Sequence, residues 1–211
     1  MKTHNAAWLI ASILASASTG ICSAGTEKVG NASATDPRRD LVTALEASSP
    51  NASLGDQAEV LGRLVGTWDV EYTDFDKDGK AIHRTGEFIV SWVMDGRALQ
   101  DLWIVNPSGT RKEREVYTYL HYFEPKSRTW HATFVDPEHG SVAGFTGSAT
   151  GNDRFVLATH DLGSEETRWS FNDIRPDSVI FRDEASGDGG KTWKLRSEDH
   201  MTRRGAHPGA Q

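Results

Sequence analysis

His121 and His131 are the residues whose type and spacing most invite chemistry. They flank Pro125-Lys126-Ser127. A three-residue loop centred on Lys126 predicts two imidazoles standing opposite one another. Directly opposed side chains approach within about 5.5 Å at Cβ, close enough to share a metal or a proton. Two imidazoles are only half of a metal site, and spacing fixes no third ligand. A partly exposed polar pair on the wall of a sheet is therefore the favoured reading. Tyr119 and Asp101 join these histidines as the candidate catalytic set, groups able to take up or give protons. His160 and Asp161 are sequence neighbours, so they face opposite sides of a strand and make no dyad. No Gly-x-Ser-x-Gly, phosphate loop or His-Glu-x-x-His occurs in the chain.

Two turn-like motifs have chemical and structural readings. Asp74-Phe75-Asp76-Lys77-Asp78-Gly79 matches the first half of a calcium loop, but its twelfth position is Thr85. A bidentate glutamate is needed there, and no helix flanks the segment, so a hairpin turn is predicted. Ser186-Gly187-Asp188-Gly189-Gly190-Lys191-Thr192-Trp193 resembles the Asp-box hairpin of sialidase propellers. Its serine and aspartate bond turn backbone, while the glycines permit positive φ. A propeller needs several copies. One copy is a structural turn.

The elements that must carry these residues are strands. From Thr67 onward, turn signals recur after about one strand's length, as in an antiparallel meander. Alternation predicts ten strands, over 67–74, 80–94, 97–105, 114–124, 129–136, 141–149, 154–161, 166–174, 178–185 and 191–203. A barrel removes the edges that an open sheet must defend, and ten strands favour an interior that side chains do not fill. The fold class expected is all-β, a single antiparallel up-and-down barrel. Phe88, Val90 and Trp92 alternate on one strand, Leu102 and Ile104 on the next, and Trp130, Ala132 and Phe134 on a third. With Tyr122 placed across from Trp130, the expected ligand-binding set is Phe88, Trp92, Leu102, Tyr122, Trp130 and Phe134. A short helix over about Gln57 to Leu64, capped by Asp56, is expected to plug one mouth. An earlier helix is signalled by Asp36-Pro37, with Leu41, Val42 and Leu45 as a thin apolar stripe.

The two ends of the chain differ from this domain. In residues 1–24 the only charged side chain is Lys2, and Ala6 to Ala17 is largely apolar, followed by small residues. That is the pattern of a secretory signal peptide, with cleavage after Ala17 or Ala24. The apolar run is too short to span about 30 Å of hydrocarbon. Residues 25–55 read as a linker, 56–204 as the barrel domain and 205–211 as a loose tail. Cys22 is the sole cysteine, and Ile21 before it disfavours a lipid anchor. Cleavage after Ala24 leaves no thiol, which excludes disulfides and cysteine nucleophiles. Asn31-Ala32-Ser33 and Asn51-Ala52-Ser53 are formal glycosylation sequons. The chain carries a formal charge of −7, which argues against nucleic acid or anionic membrane as a partner. The location expected is secreted or periplasmic.

Five short motifs carry a family resemblance. They are Val65-Gly66-Thr67-Trp68, Met94-Asp95-Gly96-Arg97-Ala98-Leu99, Tyr122-Phe123-Glu124-Pro125, Asp188-Gly189-Gly190-Lys191-Thr192-Trp193 and Thr202-Arg203. In order and spacing, over residues 57–204, they resemble exported bacterial domains of unknown function with lipocalin-like, calycin-type barrels. The resemblance implies that Trp68 closes one end under an arginine of the last strand. Parity nominates Arg203, beside Leu195 and Met201, with Arg204 turned to solvent. His200 is similar in position to the axial histidine of nitrobindin-like haem barrels, but parity points it outward unless a bulge intervenes. No cofactor is expected; haem at His200 is the alternative. The function expected is binding of a small, largely apolar molecule in the barrel. An isomerase or hydrolase using the same interior is the runner-up.

Overall fold

The computed structural model describes residues 36–109, 112–159 and 165–205. The leader with Cys22, the first sequon, His160, Asp161 and residues 206–211 lie outside the described residues. All ten predicted runs form strands: β1 (Gly66–Phe75), β2 (Ala81–Val93), β3 (Ala98–Val105), β4 (Glu115–Glu124), β5 (Thr129–Asp136), β6 (Ser141–Ala149), β7 (Phe155–Thr159), β8 (Glu166–Asn172), β9 (Ser178–Ser186) and β10 (Lys194–Arg203). Each pairs antiparallel with its sequence neighbours, and β10 returns beside β1 to close the barrel. Among the described residues no helix is long and apolar enough to cross a membrane.

The plug is shorter and differently capped than the sequence suggests. A 3-10 segment (Ala52–Gln57), bent within itself at Gly55 with φ 52°, leads into α2 (Ala58–Gly62). Asn51, not Asp56, is the cap: its Oδ1 accepts from the Ser53 N–H, and its Nδ2 donates to the Asp95 carbonyl. The second sequon is thus a structural joint. Leu54, Leu61 and Leu64 are buried beneath this plug. The earlier helix, α1 (Pro37–Leu45), is capped by Asp36 as its sequence predicts, but it buries no residue.

Trp68 and Arg203 form the lid over this closed end. The indole is fully buried, and its Nε1 donates to the Leu64 carbonyl at 2.8 Å. The Arg203 guanidinium lies 3.9 Å above the ring and donates to the carbonyls of Arg63, Val65 and Pro176. The Arg63 carbonyl, at the C-cap of α2, is an acceptor that a short helix leaves open at its C-terminal end. Gly66 makes room: a Cβ there would lie 2.5 Å from the Arg203 Nη1. Arg204 turns outward to Asp69 and Glu87.

Three strand parities depart from expectation, each for a local reason. On β3 the inward set is Leu99, Asp101, Trp103 and Val105, so Leu102 and Ile104 face out. Both faces of that strand are rich in apolar residues, and alternation alone does not rank them. Between β4 and β5 the loop is Pro125 to Arg128, with Arg128 at φ 54°, which sets Tyr122 opposite His131 and His121 opposite Ala132. The loop is therefore one residue longer than expected, and the imidazoles fall on opposite faces. On β10 a bulge at Arg196 turns that arginine toward Asp183, so Leu195 pairs with Glu184 on the other face. Met201 and Arg203, beyond the bulge, keep their predicted parity.

Aromatic side chains occupy most of the interior. Trp103 sits at its centre, with ring centroids at 4.4 Å from Phe88 and 4.8 Å from Phe181. Trp169 stacks on Phe145 at 3.8 Å. The open hollow expected from strand number is instead filled largely by these rings. β2 can coil around them because residue 86 is glycine: a Cβ there would lie 1.8 Å from the Ile104 carbonyl oxygen.

Candidate functional site

Asp101 on β3 and His121 on β4 meet inside the barrel. Asp101 stands opposite Tyr119, and Leu99 opposite His121, so the two side chains lie diagonally on one face, within reach of each other. His121 Nε2 is 2.8 Å from Asp101 Oδ2, and Asp101 Oδ1 accepts from the Tyr119 N–H at 2.9 Å. The side chains are only 5% and 2% exposed. Tyr119 lies parallel to the imidazole, centroids 5.7 Å apart. Burial pushes the Asp101 carboxyl up, and His121, the Tyr119 amide and the Trp103 indole beside it oppose that rise. Burial also raises the hydroxyls of Tyr117 and Tyr119, which keeps them protonated.

The pair is satisfied on one side and unsatisfied on the other. His121 Nδ1 is buried with no hydrogen-bond partner, while the indole nitrogen of Trp103, which makes no well-formed hydrogen bond, lies beside the Asp101 carboxyl. Both residues line one interior space, walled otherwise by Leu157, Trp169, Phe171 and Phe181. The gaps there total about 170 Å³, none wide enough for a water molecule. Buried polar atoms are almost always paired, so the orphaned His121 Nδ1 requires an explanation. With Nε2–H given to Asp101, Nδ1 is an acceptor. A hydroxyl can donate to it.

The other candidates are dispersed. His131 lies on the outer wall, its ring stacked on Tyr122 at 5.0 Å and its Nε2 3.3 Å from Glu124. It takes no part in the Asp101 site. Tyr122 and Leu102 are exposed on the outside. Phe88 and Phe134 point inward but form a second layer, Phe88 behind Trp103 and Phe134 against Tyr119 and Trp169. Trp92 and Trp130 are also inward; Trp92 lies beneath Gly62 of the plug. His200 stands on the outer wall, bonded to Glu198 at 3.0 Å, and an imidazole placed there does not fit an interior haem.

The two turn motifs are structural. Asp76 accepts from the backbone N–H groups of Asp78 and Lys80, and Asp74 is bound to Arg84. Among the described residues no group of three or more side chains is arranged to hold a metal. In the Asp-box turn, Asp188 accepts from the Lys191 and Thr192 amides and from two hydroxyls, which hold its carboxyl down to about 2.

Sequence reasoning missed Trp103, Trp169, Phe171 and Phe181. Trp103 shares the parity of Asp101, so choosing Asp101 as an interior residue already implied it. No family model matches the chain, and a search of curated proteins finds no match. Among solved structures it is similar to an S-type phycobiliprotein lyase from Guillardia theta, at TM-score 0.50 and 13% identity over 72% of this chain and 94% of that one. It is also similar to Rv2717c from M. tuberculosis, at TM-score 0.49 and 13% identity over 71% and 98%. The fold is that of a lipocalin-like barrel. At this identity the likeness is one of fold.

Proposed function

We propose that this barrel binds one small, largely apolar molecule in its interior and orients it through the Asp101–His121 pair. The observation that carries this reading is the orphaned His121 Nδ1 facing an aromatic-walled space. Apolar walls with a few placed polar groups are the usual make-up of a small-molecule site. Because the space is narrow, binding requires the surrounding rings to move apart. A molecule with an aromatic ring and one hydroxyl fits the chemistry, since the hydroxyl donates to Nδ1 and the ring packs against the aromatic walls. Calorimetry with phenethyl alcohol tests this. Wild type is expected to bind, and His121→Gln to bind at least tenfold more weakly with an unchanged circular dichroism spectrum. Equal binding by the two proteins overturns the role given to His121.

The 2.8 Å contact also favours a second reading, an isomerase or hydrolase in which His121 moves a proton at the bound molecule. That reading requires a molecule released from the protein to be converted on incubation with fresh wild type, and not with Asp101→Asn.

Export is part of the proposal. The mature N-terminus is expected at Ser18 or Gly25, from the apolar run and the small residues after it. N-terminal sequencing of protein from the native host checks this, and dominant intact Met1 in soluble cytoplasm contradicts it.

A further inference from the structure

The end of the barrel opposite the lid carries an imbalance of charge. Arg84 bonds Asp74 at 2.6 Å and Glu115 at 3.1 Å, and Arg196 bonds Asp183 at 2.8 Å. These two guanidiniums account for three inner carboxylates. A fourth, Asp199 on β10, has no guanidinium bound to it. It is 3% exposed and inward, between Tyr72 on β1 and Phe181 on β9. The Thr73 N–H donates to this carboxyl, while Oδ1 is buried with no partner. An unpartnered buried carboxyl oxygen is costly, and a cationic donor beside it would hold the group ionised against its burial.

Its surroundings specify the kind of donor. Tyr72 and Phe181 flank Asp199 along the ladder, and both rings pack on Trp103, at 6.3 and 4.8 Å. Tyr117 stacks on the same indole at 6.0 Å. Carboxylate and aromatic rings together attract an organic cation through charge and ring quadrupole. A further acceptor-rich ligand would meet Asp74 and Asp183 as well, and be repelled. A metal ion is poorly served, because the described residues offer it no cluster of three ligands. Trp103 and Phe181 also wall the space that holds His121, and Asp199 is the ladder partner of Phe181, next to that wall.

The geometry points to Asp199 as the recognition site for a protonated amine at one end of the barrel's ligand, whose apolar body lies in the space beside Trp103 and His121. This inference rests on the binding reading above and adds the ligand's charge to it. The amine donates to Asp199 Oδ1 and sits against the rings of Tyr72 and Phe181. Electrostatically, it supplies the cation that the inner carboxylates lack.

Calorimetry with a matched pair of probes, phenethylammonium and phenethyl alcohol, tests it in wild type and in Asp199→Asn. The expected result is at least tenfold tighter binding of the ammonium than of the alcohol in wild type. Asp199→Asn should lose that preference while keeping its affinity for the alcohol; Asp69→Asn, on the outer wall, should change neither. Alcohol binding with no ammonium preference overturns the amine assignment and leaves the binding reading intact. A preference that survives in Asp199→Asn places the cation elsewhere and also overturns it. If neither probe binds, the amine assignment fails, and the binding reading is then decided by native mass spectrometry of protein from its native host. The wild-type ratio needs no variant, so a misfolded mutant cannot obscure the outcome.

Discussion

Trp68 and Arg203 face each other twice, across the β1–β10 ladder by register and again where the guanidinium covers the indole at 3.9 Å. The barrel's first and last strands are joined at the point where its plug ends. Arg203→Ala removes a cation–π contact and strands carbonyls in a partly buried place. It is expected to cost about 2–4 kcal/mol. Arg204→Ala breaks only half-exposed ion pairs and should cost under about 1 kcal/mol. Urea denaturation measures both, and similar losses would show that the lid adds nothing special.

Gly86 is a second test of closure. A methyl group at that position runs into the Ile104 carbonyl, which is backbone and cannot rotate away. Gly86→Ala should therefore cost about 3 kcal/mol or more, at the upper end of overpacking effects. A loss under about 1 kcal/mol in the same denaturation assay would mean that β2 and β3 separate readily there.

The interior carboxyls predict how stability depends on pH. Burial is the leading cause that raises Asp101, Asp183 and Asp199. A group raised on folding holds a proton that the unfolded chain releases near pH 4. Its contribution is present below that pH and is lost as pH climbs through the folded value. Each unit of upward displacement corresponds to about 1.4 kcal/mol. Asp199→Asn removes one such group, so its melting temperature relative to wild type should rise between pH 4 and pH 8. A difference that is flat or falling across this range contradicts the burial of Asp199.

His131 gives the contrasting case. It lies outside, on the face opposite His121, and shares no partner with it. His131→Ala should change stability by no more than about 0.5 kcal/mol and leave phenethyl alcohol binding unaltered. In a double-mutant cycle with His121→Gln the two changes should add. Strong coupling would return the pair to a shared site.

Most of the architecture was legible because strand alternation and turn residues are local signals. The ten strands and the outward His200 follow from parity and order; the lid over Trp68 was implied by the family resemblance, and parity named Arg203 for it. The losses came where one residue decides a register. Arg128 in a left-handed conformation lengthened the β4–β5 loop and separated the two histidines. The bulge at Arg196 reversed Leu195 and spared Met201. Neither position carries glycine or another strong mark of its conformation. The Asp101–His121 pair was half legible: both residues stood out, but the contact depends on a diagonal between strands that sequence does not measure. Asp199 was missed although its parity with Met201 was readable, because an inward carboxylate looks like an exposed one until its neighbours are known.

The central claim is that one small molecule occupies the interior and is held through His121. Native mass spectrometry of the protein purified from its native host tests it most directly. The expected spectrum holds a discrete species heavier than the bare polypeptide by one small molecule, present in wild type and depleted in His121→Gln. A wild-type spectrum of bare polypeptide alone, or an adduct undiminished in His121→Gln, contradicts it.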